Sequence, residues 1–242
     1  MPRLEPFKAL AQLDLDEAWI VEGLISPGAW TYFVGPPGVG KSMMCIQLCA
    51  ALQAGEPFLG LPTTTQNCLY LQADAGLYEW QKQVKNLAPE SAAWSYCQVD
   101  QGCLDDPASV LYLEQLVQGT YAPISPYSKV LKHKPFSFVV FDCLNAITKR
   151  DLNTKAAMNA VLEALTTIMH ETHYLLIHHP SSTVQRGVHA GSGYKGFAGL
   201  CGTMLTLTGT VLALEKSKVA SKREMLLERH PLTGAWSLPQ WE

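Results

Sequence analysis

The stretch Gly35-Pro36-Pro37-Gly38-Val39-Gly40-Lys41-Ser42 constrains this 242-residue chain more than any other feature. It meets every fixed position of the pattern G-x-x-x-x-G-K-[ST]. Trp30 to Val34 before it reads as a short buried strand. Met43 to Ala54 after it reads as an apolar helix, with Gly55 as its stop. Strand, glycine loop and helix make a cradle for an anion: glycines let backbone N–H groups curl around it, and the helix N-terminus adds a partial positive charge. The loop residues Gly35, Pro36, Pro37, Gly38, Val39 and Gly40, with Met43 behind them, are the expected nucleotide contacts. Lys41 would reach the β- and γ-phosphates, and the Ser42 hydroxyl would bind Mg²⁺. The rival reading is a Gly/Pro-rich turn that happens to precede a helix, which the flanking strand and helix disfavour.

Length and composition fit one domain, with 1–18 as an N-terminal arm, 19–230 as the core and 231–242 as a tail. The net charge of −3 marks no strongly basic nucleic-acid binder. A ring or filament could still concentrate basic loops along its axis. Seven cysteines without a C-x-x-C pair suggest reduced thiols. With no signal peptide and no bilayer-length apolar run, the expectation is a cytoplasmic protein without a membrane partner.

Past the loop, strands and helices alternate. Asn67 to Gln72, Trp94 to Val99, Phe136 to Phe141 and Tyr174 to Ile177 read as strands. Leu77 to Leu87, Pro107 to Gln118 and a segment capped by Asn153 or Thr154 and running to Glu171 read as helices. Gly119 to Pro135 reads as a loop. The last third changes character: Thr203 to Leu207, Val211 to Leu214, Glu224 to Glu228 and Trp236 to Leu238 read as consecutive strands. The fold class is therefore α/β, with a mainly parallel sheet flanked by helices and antiparallel strands added at the C-terminal edge.

Asp142 ends the run Phe138-Val139-Val140-Phe141. An acid at the carboxyl end of a core strand faces the ligand crevice of an open α/β sheet, where it could hold the Mg²⁺ shell through water. A turn-capping Asp is the plainer alternative.

With these residues in place, the chain resembles a RecA-fold ATPase, and most the branch of RepA-type hexameric helicases. Five stretches carry the resemblance: Trp19 to Ile25 leading to the phosphate loop, Leu52 to Gly60 after its helix, Leu69 to Asp74, Ile177-His178-His179-Pro180-Ser181, and Glu215 to Lys218. The resemblance implies that Asp74 stands where the family usually has the Glu that orients the attacking water. Asp is one methylene shorter, so its reach must be recovered by backbone position or a second water; Glu79 is the nearest rival. It also implies that His178 senses the γ-phosphate, with His179 as runner-up. Neighbours on an extended chain point to opposite faces, so only one of the two can do so. A zinc reading finds no matching ligand set.

Two further roles follow from the resemblance. Ser181 to Lys195 is rich in Gly and Ser and carries Arg186 and Lys195; in RecA-fold motors the matching loop lines a nucleic-acid channel. Lys149 and Arg150 after Asp142 are a second candidate contact. Solvated surface loops are the alternative for both. Lys216 and Lys218 flank Ser217 and would share one strand face, suiting a γ-phosphate reached across a subunit boundary. Arg223 could substitute, and edge-protecting lysines are the alternative.

The resulting expectation is an ATPase using ATP and Mg²⁺. It assembles as a ring or filament, a hexamer foremost, and acts on single-stranded DNA as a replicative helicase or DNA-translocating ATPase, with replication or recombination proteins as partners. A recombination or loading factor that uses ATP as an assembly switch is one alternative. An ATP-gated regulator with no nucleic-acid role is another.

Overall fold

The computed structural model describes residues 19–28, 30–87, 95–120, 134–169, 172–179 and 192–239. The first strand, β1 (Thr31–Val34), runs buried into the glycine loop, and helix α1 (Lys41–Ala54) leaves it. Gly55 stops α1 in the left-handed conformation, its N–H returning to the carbonyls of Ala51 and Leu52. Then follow β2 (Cys68–Gln72), α2 (Leu77–Leu87), β3 (Ser95–Gln98), a short 3-10 turn (Cys103–Asp105), α3 (Pro107–Val117), β4 (Phe138–Asp142) and the one-turn helix α4 (Leu144–Ile147). Asp106 caps α3, accepting from the N–H groups of Ala108 and Ser109 ahead of Pro107 at the first turn. The chain continues through α5 (Lys155–Met169), β5 (His173–His178), α6 (Ser192–Leu200), β6 (Thr203–Thr208), β7 (Val211–Ser217), β8 (Arg223–Leu226), β9 (Glu228–Arg229) and β10 (Trp236–Ser237).

The main sheet has the order β3-β2-β4-β5-β1-β6-β7-β8. The strands from β3 to β6 are parallel; β7 and β8 join antiparallel at the edge beyond β6. This is the expected mostly parallel sheet with an antiparallel C-terminal edge. The inner parallel strands β1, β2, β4 and β5 are buried on both faces, which is why they read as apolar runs, whereas β3 at the edge is only partly buried.

Alternation along each strand sorts the core into two faces. Tyr70, Phe138, Val140, Leu175 and Ile177 pack with Met44, Cys45 and Leu48 of α1 on one face. Tyr32, Leu71, Phe141 and Leu176 pack with α3, α5 and Phe197 of α6 on the other. The parity of a residue therefore decides whether it meets α1 or α5. The small β9–β10 pair is a separate hairpin lying over the start of α1: Trp236 is buried, its indole N–H donates to the Gly40 carbonyl at 3.2 Å, and its backbone bonds Gln47 at both ends.

One expected loop is in part a helix. The segment Ser181 to Lys195 lies outside the described residues as far as 191, but its end starts α6. Gly193, Gly196 and Gly199 hid that helix, because glycine is a poor helix former. Gly196 has a packing reason. A Cβ there would fall 2.0 Å from Met158 Sδ, so the missing side chain lets α6 lie close to α5.

Candidate nucleotide site

The glycine loop spans the C-terminal end of β1 and the first turn of α1. Gly38 (φ 74°) and Gly40 (φ 104°) occupy the left-handed region, which other residues adopt only with strain. Gly35 is required for a different reason: a Cβ there would sit 2.4 Å from the Leu207 carbonyl oxygen of β6. No side chain caps the N-terminus of α1, and its first turn carries no acid. Its N–H groups and positive dipole end are thus left to an anion.

Lys41 is buried, with its ammonium folded back on the loop. Nζ donates to the carbonyls of Gly35 (2.7 Å) and Pro36 (2.9 Å) and lies 2.8 Å from His179 Nδ1. Burial lowers its pKa to about 8, against the opposing attraction of Asp142. Asp142 ends β4 on the α1 face. Its carboxylate accepts from the Tyr70 hydroxyl at 2.7 Å and is also hydrogen-bonded to Ser42. Burial pushes the Asp142 carboxyl above the usual carboxylate range, while the Tyr70 and Ser42 hydroxyls pull it back.

Asp74 follows β2 and is exposed. Its Oδ2 lies 4.0 Å from His179 Nε2 and 3.9 Å from Cys143 Sγ. Burial pushes the Cys143 thiol up to about 12. The structure therefore brings Lys41, Ser42, Asp74 and Asp142 to one rim of the sheet, at the ends of β1, β2 and β4.

The two histidines part company. His178 is still inside β5 and faces the α5–α6 side. Its ring stacks on Tyr32 and its Nδ1 bonds the Tyr32 hydroxyl, while burial holds its pKa at about 4. It does not face the phosphate loop. His179, one residue on and of opposite parity, does: it touches Lys41 and nears Asp74. Burial and the Lys41 cation hold its pKa below the usual imidazole value. The expected sensor at His178 is thus a core histidine, and the runner-up is the one at the site. Parity is the physical reason, because Asp142 lies on the face opposite His178.

Arg150 and Lys149 are exposed beyond α4. The Arg150 guanidinium donates to Asp105 Oδ1 at 2.8 Å, and the Lys149 stem packs over Gly102. Both thus have partners within the chain, Asp105 also accepting from the Lys149 N–H. Arg186 and the Lys195 side chain lie outside the described residues. Lys216 sits near the C-terminal end of β7, and its Nζ donates to the carbonyls of Ala198 (2.8 Å) and Gly199 (2.9 Å) at the end of α6. Lys218 lies past the end of that strand and is exposed, so the two lysines do not share a strand face as expected. Because β7 runs against β6, this end of β7 is at the opposite rim from the phosphate loop, about 20 Å away for a six-residue strand.

Sequence reasoning missed Gln72, Cys143, Tyr70 and Trp236. Tyr70 and Gln72 carried a signal, their place in the strand that leads to Asp74. Trp236 carried none, being brought to Gly40 from the far end of the chain.

A divalent ion fits here. A hydroxyl and a carboxylate already hydrogen-bonded to each other beside an anion cradle are the hard oxygen donors that Mg²⁺ takes. Asp74, Cys143 and His179 offer one atom each within 4.8 Å. That set is softer, and the Lys41 ammonium on His179 opposes a cation there. Among the described residues no helix is long and apolar enough to cross a membrane.

Comparison with solved structures finds the RadB recombinase crystal structure similar in fold, at a TM-score of 0.58 and 17% sequence identity, covering 88% of this chain and 92% of that one. The fold is RecA-like. No curated protein matches the sequence. The family AAA_25, described as an AAA domain, matches residues 4–184, well over half of the chain. The sheet, the phosphate loop and this match agree: the chain belongs to the AAA_25 family of AAA domains and is a RecA-fold P-loop ATPase.

Proposed function

We propose that this protein hydrolyses ATP with Mg²⁺ and couples the cycle to assembly on, or movement along, single-stranded DNA, in the manner of a RepA-type helicase. The observation that carries the hydrolytic part is the convergence of Lys41, Ser42, Asp142, Asp74 and His179 at one rim.

The loop amides and the α1 N-terminus hold the triphosphate. Lys41 leaves the carbonyls of Gly35 and Pro36 and turns to the β- and γ-phosphates. Ser42 and Asp142 would hold the divalent ion, which would supply charge neutralisation for the triphosphate. Asp74 orients the attacking water. His179 loses its Lys41 contact when the γ-phosphate draws the ammonium away, so it senses that group in place of His178. Lys41 parked on His179 is thus the resting state of the sensor. Lys218, at the far rim of its own sheet, serves the site of a neighbouring subunit, and a ring or filament completes the enzyme. The preferred oligomer is a hexamer, and the cytoplasm is the preferred location.

The cargo is the finer part of the reading. It rests on the resemblance of the 181–195 segment to channel loops, with Lys149, an exposed cation after α4, as a second candidate contact. The second reading, a recombination or loading factor that uses ATP as an assembly switch, is supported by the short Asp74, whose carboxylate stands exposed and 4.0 Å from its nearest histidine nitrogen. A slow ATPase follows from a poorly placed base, since such groups contribute about 10²–10⁴-fold.

One experiment separates the readings: ATP turnover with and without single-stranded DNA across a protein dilution series, with displacement of a forked duplex. A helicase shows stimulation and displacement. A switch shows ATP-dependent assembly on DNA and slow turnover without displacement. If DNA changes neither turnover nor assembly at low salt, the nucleic-acid reading is wrong and a regulatory role replaces it. If MgATP neither binds nor raises the melting temperature, the ATPase reading itself fails.

A further inference from the structure

Gln72 ends β2 directly opposite Asp142 in the parallel register. It is 1% exposed, yet neither its Nε2 nor its Oε1 has a hydrogen-bond partner. A buried amide with both ends unsatisfied destabilises the state that holds it. Its position says which other state relieves that. Strand alternation puts Gln72 on the α1 face with Cys68 and Tyr70. On that face Tyr70 already bonds the Asp142 carboxylate from one layer below. Gln72 is the next layer up, at the rim where Ser42, Asp142 and the glycine loop meet. Tyr70 and Ser42 fix the carboxylate, and the neighbouring amide is left over.

We infer that Gln72 is a positioning residue for the metal–triphosphate. Its amide hydrogen-bonds a water of the divalent-ion shell held by Ser42 and Asp142, so the loaded site satisfies a group that the free protein leaves unsatisfied. This rests on the nucleotide-site reading above. An amide suits the task because its oxygen accepts from a metal-bound water, which coordination leaves only its hydrogens to offer. A carboxylate in its place would sit beside Asp142 and repel it.

A purely structural bridge is the rival. The Tyr96 hydroxyl of β3 is also buried without a partner, and Tyr96 pairs with Tyr70 in the sheet. If Gln72 serves Tyr96, both matter to the free protein and neither to the metal.

Gln72→Met keeps length and flexibility and removes both polar atoms; Tyr96→Phe removes the rival partner. The test titrates ATP against wild type and both variants, in Mg²⁺ and in chelator, and melts each free protein. The expected result for Gln72→Met has three parts. The gain in ATP affinity on adding Mg²⁺ shrinks by about 3- to 10-fold. Affinity in chelator is unchanged. The free protein melts at the wild-type temperature or above it, because an unsatisfied group has been removed. Tyr96→Phe leaves the Mg²⁺ dependence intact. The inference is overturned if Gln72→Met lowers the melting temperature while the Mg²⁺ gain persists, above all if Tyr96→Phe does the same. It is equally overturned if Gln72→Met changes nothing. Wild type that binds no ATP in either condition overturns the nucleotide-site reading along with it; with wild-type binding intact, a failure belongs to Gln72 alone.

Discussion

Adjacent histidines at the end of β5 have opposite fates, and the difference is testable residue by residue. His178 is packed between Tyr32 and the core of the α5–α6 face. Replacing it with Ala opens a cavity and costs about 2–3 kcal/mol of stability, read by urea denaturation. ATP affinity per folded molecule stays near wild type. His179→Ala does the reverse: at the rim and only partly buried, it costs less stability but lowers turnover about 10-fold or more, because Lys41 loses its resting partner and the γ-phosphate its reporter. Measuring both quantities on both variants decides the sensor. An equal loss of turnover from His178→Ala would return the role to His178.

The buried histidines also set an acid limit. Burial lowers His173 to about 3 and His178 to about 4 from the usual 6.5. Both bind a proton more readily in the unfolded chain. Their contribution to stability is thus complete above pH 6.5 and is lost as pH falls, down to about 4 for His178 and about 3 for His173. Each adds up to about 1.4 kcal/mol per pH unit there. His173→Leu should flatten the fall by about one proton's worth of slope, measured as unfolding free energy between pH 6.5 and 4. An unchanged slope would mean that His173 takes up its proton in the folded state.

At the scale of elements, the C-terminal hairpin is joined to the phosphate loop. The Trp236 indole lies 3.0 Å from where a Gly40 Cβ would be, donates to the Gly40 carbonyl, and has the Arg229 guanidinium 5.6 Å from its ring centroid. The hairpin therefore helps to hold Gly40 in its left-handed conformation. Trp236→Ala should cost about 3–4 kcal/mol and weaken ATP binding as the loop loosens. Leu232→Ala, in the same hairpin but 86% exposed, should change neither. Denaturation and ATP titration of both variants check this. Normal ATP affinity in Trp236→Ala would show the hairpin to be a bystander. This coupling was not legible in the sequence, since nothing local in Trp236-Ser237-Leu238 points to Gly40. What was legible followed from period and punctuation: the apolar runs of β2, β4, β5 and β6, the Gly55 stop and the Pro107 start all lie within a residue or two of expectation. Helix α6 was hidden by its glycines, of which Gly196 serves a contact with Met158 that only the folded chain brings about. The site was legible as a set of residue types at strand ends. Its parity was not, because choosing His179 over His178 needs the strand's last residue, where boundaries are least certain.

For the whole molecule, the question is whether one subunit is a complete enzyme. Lys216 is tied by two bonds to the carbonyl end of α6, where a cation also suits the helix dipole. Lys216→Ala should therefore cost about 1 kcal/mol of stability and leave turnover intact. Lys218 is exposed at the rim farthest from its own Lys41, so it can reach a γ-phosphate only in another copy. Two variants make the test sharp. Lys218→Ala keeps an intact phosphate loop but offers no finger; Lys41→Ala offers the finger but binds no triphosphate productively. Each alone should be slow, and the wild-type rate per subunit should rise with protein concentration. Mixed in equal amounts, the two should regain turnover, because a Lys218→Ala subunit can receive the finger of a Lys41→Ala neighbour. Variants that co-assemble but stay inactive together would mean that Lys218 is an edge-protecting charge, and that the hydrolytic site must be completed from within one chain.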